Sequence, residues 1–224
     1  MREVKLLPRY RIQYCKRGPA SYISHLDLVR TLDRAFRRAA LPIAYSEGFN
    51  PHPRFSFAAP LPVGVEGLAE VLDVEMQEPI AHQELAERLN AALPPGLAVL
   101  EVSDVQDNTP APMAELDEAG YIVHLDEHDL PGPLPDGAAR DFLSEEHIEV
   151  TRKGKDGREK IRDIRPGIVK LDVLSQVSGL TMQMKLKSGS AMNVRPEDVV
   201  EAFFHHAGMA VDKADLQIIR TGLF

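Results

Sequence analysis

The sequence predicts an α+β protein made of two tandem ferredoxin-like (split βαβ) domains, the second decorated with a β-hairpin. Three observations carry that expectation. Short runs alternate polar and apolar side chains with the period of a strand, longer runs with a helical period lie between them, and the same order recurs after a proline-rich break. At 224 residues the chain has room for one large domain or two of about 110.

Arg9 to Cys15 alternates large polar with apolar or aromatic residues, a strand with one buried face, and Lys16 to Pro19 turns it. Ser24-His25-Leu26-Asp27 reads as a capping box: Ser24 accepts from the first-turn amides and Asp27 reaches back to the Ser24 amide. The helix it opens runs to about Ala40, with Leu28, Leu32, Ala35, Phe36 and Ala39 on one face and Arg30, Arg34, Arg37 and Arg38 on another. Pro42 stops it. Ile43 to Tyr45 and Arg54 to Ala58 are strand material, Leu68 to Met76 a strand, Ile80 to Leu93 a helix and Leu97 to Val102 a strand. Gln106 to Pro112 is the expected linker, dividing a domain over 1–107 from a second over 113–224. Beyond it come a strand (Tyr121 to Leu125), a helix (Asp136 to Leu143) and a hairpin around Gly154 to Gly157. Strands at Ile168 to Leu174 and Thr181 to Leu186, a helix at Pro196 to Ala207 and a strand at Leu216 to Ile219 follow.

The net charge of −8 conceals an uneven distribution. Arg9 to Arg54 holds nine Lys/Arg against three acids, a net of +6; Glu115 to Glu149 holds one against eleven, a net of −10; Arg152 to Lys170 holds eight against three, a net of +5. Basic segments within an acidic average allow a local anion-binding face. The N-terminus lacks a signal-peptide core and no apolar run reaches the ~20 residues of a membrane span, so a cytoplasmic protein without membrane contact is expected. The single cysteine, Cys15, excludes an intrachain disulfide and fits a small buried hydrophobe better than a nucleophile. Neither GxGxxG nor GxxxxGK[ST] occurs, so no nucleotide cofactor is expected.

Function concentrates between Tyr22 and Gly64. The helix arginines Arg30, Arg34, Arg37 and Arg38 offer paired donors suited to phosphates, although Asp33 can pair with Arg37 along the helix. Tyr22, Tyr45 and Arg54 add stacking surfaces and a cation, the mixture that takes single-stranded nucleic acid. Glu47-Gly48-Phe49-Asn50-Pro51-His52-Pro53-Arg54 sets Glu47, Asn50 and His52 in a loop that its prolines stiffen. His25 and His52 are the candidates for acid–base chemistry. No metal site and no cofactor are expected, because HxxxH, HxH or HExxH spacing is missing among these candidate ligands. His205 and His206, adjacent on a helix, are read as structural. The hairpin's Arg152, Lys153, Lys155, Arg158 and Arg165 make a second electrostatic surface for nucleic acid, alongside Lys160 and Arg162.

Ile23-Ser24-His25-Leu26-Asp27, Ser46-Glu47-Gly48-Phe49-Asn50-Pro51-His52-Pro53, Phe55-Ser56-Phe57-Ala58 and Leu61-Pro62-Val63-Gly64, followed by Glu70 and Asp73, resemble the bacterial radical-SAM-linked protein family. Asp163-Ile164-Arg165-Pro166 and the Arg220 to Phe224 ending resemble its later signatures. That resemblance implies a radical SAM protein as partner, fused or encoded alongside, and this chain resembles the stand-alone form; one cysteine cannot hold a three-cysteine cluster. It brings no established catalytic residues. The expected function is therefore an accessory protein of a radical SAM enzyme that binds an RNA or ribonucleoprotein substrate. The alternatives are a metal-independent endoribonuclease using His25 or His52, on a plan like that of the CRISPR-repeat-processing endoribonucleases, and a docking subunit without nucleic-acid binding.

Overall fold

The computed structural model describes residues 7–153, 157–176 and 179–224, with the side chains of 153, 175 and 176 outside that set. It divides into two compact units, one running to Leu116 and the other starting at Asp117.

In the first unit, β1 (Arg9–Lys16), α1 (His25–Arg38), β2 (Phe55–Phe57), β3 (Glu66–Glu75), α2 (His82–Ala92) and β4 (Leu97–Asp104) follow in order. The strands pair antiparallel as β4-β1-β3-β2, the ferredoxin-like arrangement of a split βαβ repeat. Alternation decides which face is covered: Tyr10, Ile12 and Tyr14 of β1 and Leu72 and Val74 of β3 are buried with Leu28, Leu32, Ala35 and Phe36 of α1 and Leu85 and Leu89 of α2. Ile43 to Tyr45 forms isolated bridges, Ile43 to Met76 and Tyr45 to Pro53, rather than a strand. The second strand is the three-residue β2, because Pro51 and Pro53 break the ladder before it. At the start of β4, Gly96 has φ +90° and an added Cβ would lie 2.3 Å from the Arg17 carbonyl oxygen; only glycine fits this seam, where Arg17 N donates to Gly96 O at 2.7 Å.

Both ends of α1 are capped by sequence-local chemistry. Ser24 Oγ accepts from Asp27 N at 3.2 Å, and the Asp27 carboxylate takes the Ser24 hydroxyl at 2.7 Å, in place of the Ser24 amide that a complete capping box would engage. Ser24→Ala is expected to cost about 1 kcal/mol, read as a lower midpoint in urea unfolding. At the other end Ala40 adopts φ +50°, with Ala40 N bonded to Arg37 O and Leu41 N to Phe36 O. This is a Schellman ending built on alanine, and Pro42 follows it.

The expected linker does not run free. Arg9 Nη2 donates to the carbonyls of Gln106 and Thr109, and α3 (Pro112–Glu115) sends Glu115 back to Arg11 at 2.8 Å. Arg11 also grips Asp73 of β3 at 2.8 and 3.1 Å, with Arg9 3.9 Å from the same carboxylate. The Asp73 contact, ahead of Glu115, raises the Arg11 pKa above its ordinary value.

In the second unit, β5 (Glu118–Asp126), α4 (Ala138–Ser144), β6 (Glu149–Lys153), β7 (Glu159–Asp163), β8 (Ile168–Gln176), β9 (Gly179–Lys187), α5 (Pro196–His206) and β10 (Gln217–Leu223) follow. Their main sheet runs β10-β5-β9-β8 and the β6–β7 hairpin stands apart from it; with that hairpin set aside, this is the ferredoxin-like order again. Val199, Val200, Phe203 and Phe204 of α5 are fully buried, Phe142 of α4 meets Phe203 edge-on at 5.5 Å, and Leu180, Met182, Met184 and Leu186 of β9 complete the core.

The hairpin is held at two points. Arg152 pairs with the buried Asp198 of α5, which Lys213 also approaches at 3.5 Å. At its base Asp163 faces His147 at 2.9 Å and accepts from the Ile148 and Arg165 amides at 3.0 Å each. His147, then those amides, hold the Asp163 carboxyl below its ordinary range. A depressed folded value stabilises above the unfolded value of about 3.9 and the contribution disappears as pH falls through the folded one. Asp163→Asn is therefore expected to flatten the acid limb of the second unit's stability profile below about pH 4, measured as urea midpoint against pH.

Candidate nucleic-acid interface

The cations between Arg9 and Arg54 are mostly paired with acids of the same segment or elsewhere in the first unit. Arg9 and Arg11 lie at Asp73, Arg17 at Glu66, Arg54 at Glu75, Arg30 at Asp27 and Arg37 at Asp33. Lys16 is buried and donates to the Ser21 carbonyl at 2.9 Å. On α1 this leaves Arg34 and Arg38 without an acidic ion-pair partner among the described residues. Both are exposed.

Arg38 has a structural contact as well. Its Nη2 donates to Ala92 O, the C-terminal end of α2, while Arg88 of α2 donates to Ala39 O and Ala40 O at the end of α1. Each helix thus supplies an arginine to the other's unsatisfied carbonyls. Arg38 and Arg88 line an open cleft of about 490 Å³ with Leu93 and Pro94, and Glu84 pairs with Arg88 at 2.7 Å.

Tyr45 binds the loop to the helix instead of offering a free stacking face. Its hydroxyl donates to Asp33 at 2.6 Å and accepts from Arg37 at 3.0 Å, and the Arg37 guanidinium lies 5.3 Å from its ring centroid. Burial first, then the Asp33 contact, pushes the Tyr45 pKa up. The loop is closed at its neck: Ser46 N donates to His52 O at 2.8 Å and His52 N to Ser46 Oγ at 2.9 Å. Glu47, Asn50 and His52 are exposed around Gly48 (φ +118°), and Phe49 is wholly exposed.

An aromatic series positions the other histidine. Phe36 in the core meets Phe55 at 5.5 Å, Phe55 meets Phe57 at 6.3 Å, and Phe57 receives the His25 ring edge-on at 4.9 Å. His25 is half-buried and fixed on β2. Close by, Gly64 N donates to Ser21 O at 3.0 Å, seating the Pro60 to Gly64 turn against Tyr22. Tyr22, Leu26 and Val63 are 73%, 67% and 58% exposed, high enough for these apolar side chains to be surface features rather than core. Asp27 is held below the usual carboxylate range by the Ser24 hydroxyl and then Arg30, so it stays ionised and offsets part of the arginine face.

In the second unit the hairpin residues separate. Arg152 is tied to Asp198, and Arg165 donates to Leu143 O; Arg158, Lys160 and Arg162 are exposed, and Arg158 has contacts of its own. Lys155 and the Lys153 side chain lie outside the described residues. His206 packs edge-on against Phe142 at 5.7 Å, while His205 is exposed.

Sequence reasoning passed over the buried ionisable residues. Lys16 and Glu70 are each 1% exposed and Asp73 2%. Strand alternation carried one step past Tyr14 would have placed Lys16 on the buried face; Glu70 and Asp73 stood out only as motif residues, and nothing local marked Asp73 as buried under Arg9 and Arg11.

Comparison with known proteins adds a family and a fold likeness. The family model described as "Uncharacterized protein conserved in bacteria (DUF2344)" matches residues 9–196. No curated protein matches the sequence. Among solved structures, the chain is similar to one in a Cbf5-Nop10-Gar1 complex at 13% identity and TM-score 0.48, covering 96% of this chain and 48% of that one. It is similar at 11% identity and TM-score 0.47 to one in the archaeal box H/ACA sRNP Nop10-Cbf5 complex, covering 96% and 47%. A protein from Galdieria sulphuraria titled as unknown is similar at 10% identity and TM-score 0.28, covering 96% and 98%. The chain thus spans about half the length of the first two. No helix among the described residues is long and apolar enough to cross a membrane.

Proposed function

The chain belongs to that bacterial family, and we propose that it is a binding protein rather than an enzyme on its own, taking single-stranded RNA across α1 and its neighbouring loops. One observation carries the reading: Tyr22 ahead of α1 and Phe49 in the proline-framed loop are exposed aromatic rings in the same unit as Arg34 and Arg38, the two α1 cations without an acidic ion-pair partner among the described residues. Bases stack on aromatic faces and phosphates meet arginine. Arg30, Arg37, Glu47, Asn50, His52 and Arg54 are exposed on the same helix and loop segment, and the exposed hairpin cations Arg158, Lys160 and Arg162 are assigned a second contact in this reading. Titration of a labelled single-stranded RNA at two salt concentrations tests it: binding should weaken steeply with salt. Equal binding at both concentrations, or none at low salt, refutes it.

A second reading has its own observation. Leu26 and Val63 are exposed apolar groups that a phosphate backbone does not use, and such patches mark protein contacts. The radical SAM protein implied by the motif resemblance is the partner this reading assigns. Leu26→Asp would then abolish co-purification with that partner and leave RNA binding intact. The endoribonuclease alternative has weaker support: the His25 ring packs on Phe57, and neither it nor His52 hydrogen-bonds a carboxylate among the described residues.

A further inference from the structure

A run in the second unit went unused by the functional reading: His124-Leu125-Asp126-Glu127-His128-Asp129. It has the HxxxH spacing that is missing around His25 and His52, with carboxylates interleaved. His124 and Asp126 share one side of β5 by strand alternation, while Leu125 between them is fully buried. The 3-10 turn Glu127–Asp129 then folds the chain back. As a result, ligand atoms of Asp126, His128 and Asp129 lie within 4.8 Å of one another. His124 Nε2 is 3.3 Å from Asp126 Oδ1, and His128 Nε2 is 3.3 Å from Asp129 Oδ1.

Groups outside the cluster orient two of these side chains. Thr181 stands opposite His124 in the β5–β9 register, and its Oγ1 lies 3.1 Å from His124 Nδ1, leaving Nε2 directed toward Asp126. Gln217 Nε2 donates to Asp126 Oδ2 at 3.0 Å, leaving Oδ1 on the cluster side. Ligating histidines and carboxylates are held by outer partners in this way. Neither Asp126 nor Asp129 has a Lys or Arg partner among the described residues; their ion-pair neighbours are imidazoles.

We propose that Asp126, His128 and Asp129 bind a divalent first-row transition metal, with His124 positioning Asp126. One imidazole nitrogen beside two carboxylate oxygens suits Zn²⁺, Ni²⁺ or Co²⁺ better than Ca²⁺ or Mg²⁺, which select all-oxygen sites. His128 is 78% exposed on its side chain, so the site opens to solvent and leaves room for water in the remaining positions. It is independent of the RNA-binding reading, which rests on other residues.

Calorimetric titration of Zn²⁺ into the untagged full chain tests the site. One site per chain is expected, weakened at least about tenfold in His128→Ala and in Asp129→Asn, with metal-free melting curves like the wild type's. Thr181→Val, which touches no metal, frees the His124 ring beside Asp126 and should weaken binding by less than either ligand substitution. Co²⁺ absorption should report nitrogen and oxygen ligation, lost in His128→Ala. Absence of one-site binding, or equal affinity in wild type, His128→Ala and Asp129→Asn, overturns the assignment.

Discussion

Arg34→Glu/Arg38→Glu is expected to bind single-stranded RNA about a hundredfold more weakly than the wild type at low salt, taking about tenfold per charge-assisted contact. The slope of log affinity against log salt should fall by about 0.7 for each phosphate contact removed. Arg34→Glu alone should account for roughly half of the free-energy change, because Arg34 has no acidic ion-pair partner among the described residues to release. Arg38 also caps Ala92 O, so its reversal carries a small stability cost. Arg38→Gln, which can keep that donor, separates the two effects. By contrast, Arg30→Glu and Arg37→Glu place a carboxylate beside Asp27 and Asp33, and their binding changes must be read against melting curves. Wild-type affinity in Arg34→Glu/Arg38→Glu would remove RNA from α1 and leave the surface to a protein partner.

Asp73→Ala should be the most destabilising single polar substitution in the first unit, costing about 3–5 kcal/mol. The carboxylate is 2% exposed and receives two Arg11 hydrogen bonds with Arg9 alongside. Its removal leaves two half-buried guanidinium groups without their shared acid, and Arg9 Nε is already without a hydrogen-bond partner. Glu115 can still hold Arg11, which favours the lower end of that range. A fall in melting temperature of roughly 10 °C is expected for a protein of this size. A shift below 2 °C would mean that the arginines find compensation in solvent and that the linker, not Asp73, anchors this face.

Periodicity made the helices and strands legible because it reports local geometry. Alternation from Arg9, the Leu28-Leu32-Ala35-Phe36 stripe and the Ser24 cap each depend on residues within one or two turns, and each stands in the structure close to where the sequence puts it. The ferredoxin-like order was readable for the same reason: a split βαβ unit follows from element order once the connections are short. The short strand β2 was less legible, since Ile43 to Tyr45 has strand composition but bonds in only two bridges.

Charge was where a linear reading misled. A net of +6 over Arg9 to Arg54 is a property of the sequence, but Glu66, Asp73, Glu75 and Glu115 lie outside that segment and fold back onto it. Tyr45 likewise reads as a stacking surface until Asp33 and Arg37 engage its hydroxyl.

By itself the sequence determined the α+β plan, the capped arginine helix and the proline-framed loop, because propensity, capping and side-chain period act over a few residues. Only the tertiary structure decided which charges remain available, that Lys16, Glu70 and Asp73 are buried, and that side-chain atoms of Asp126, His128 and Asp129 converge. Those outcomes turn on distances between residues far apart in the chain or brought together by a turn, and Coulomb and hydrogen-bond energies depend on that separation and on burial rather than on position in sequence.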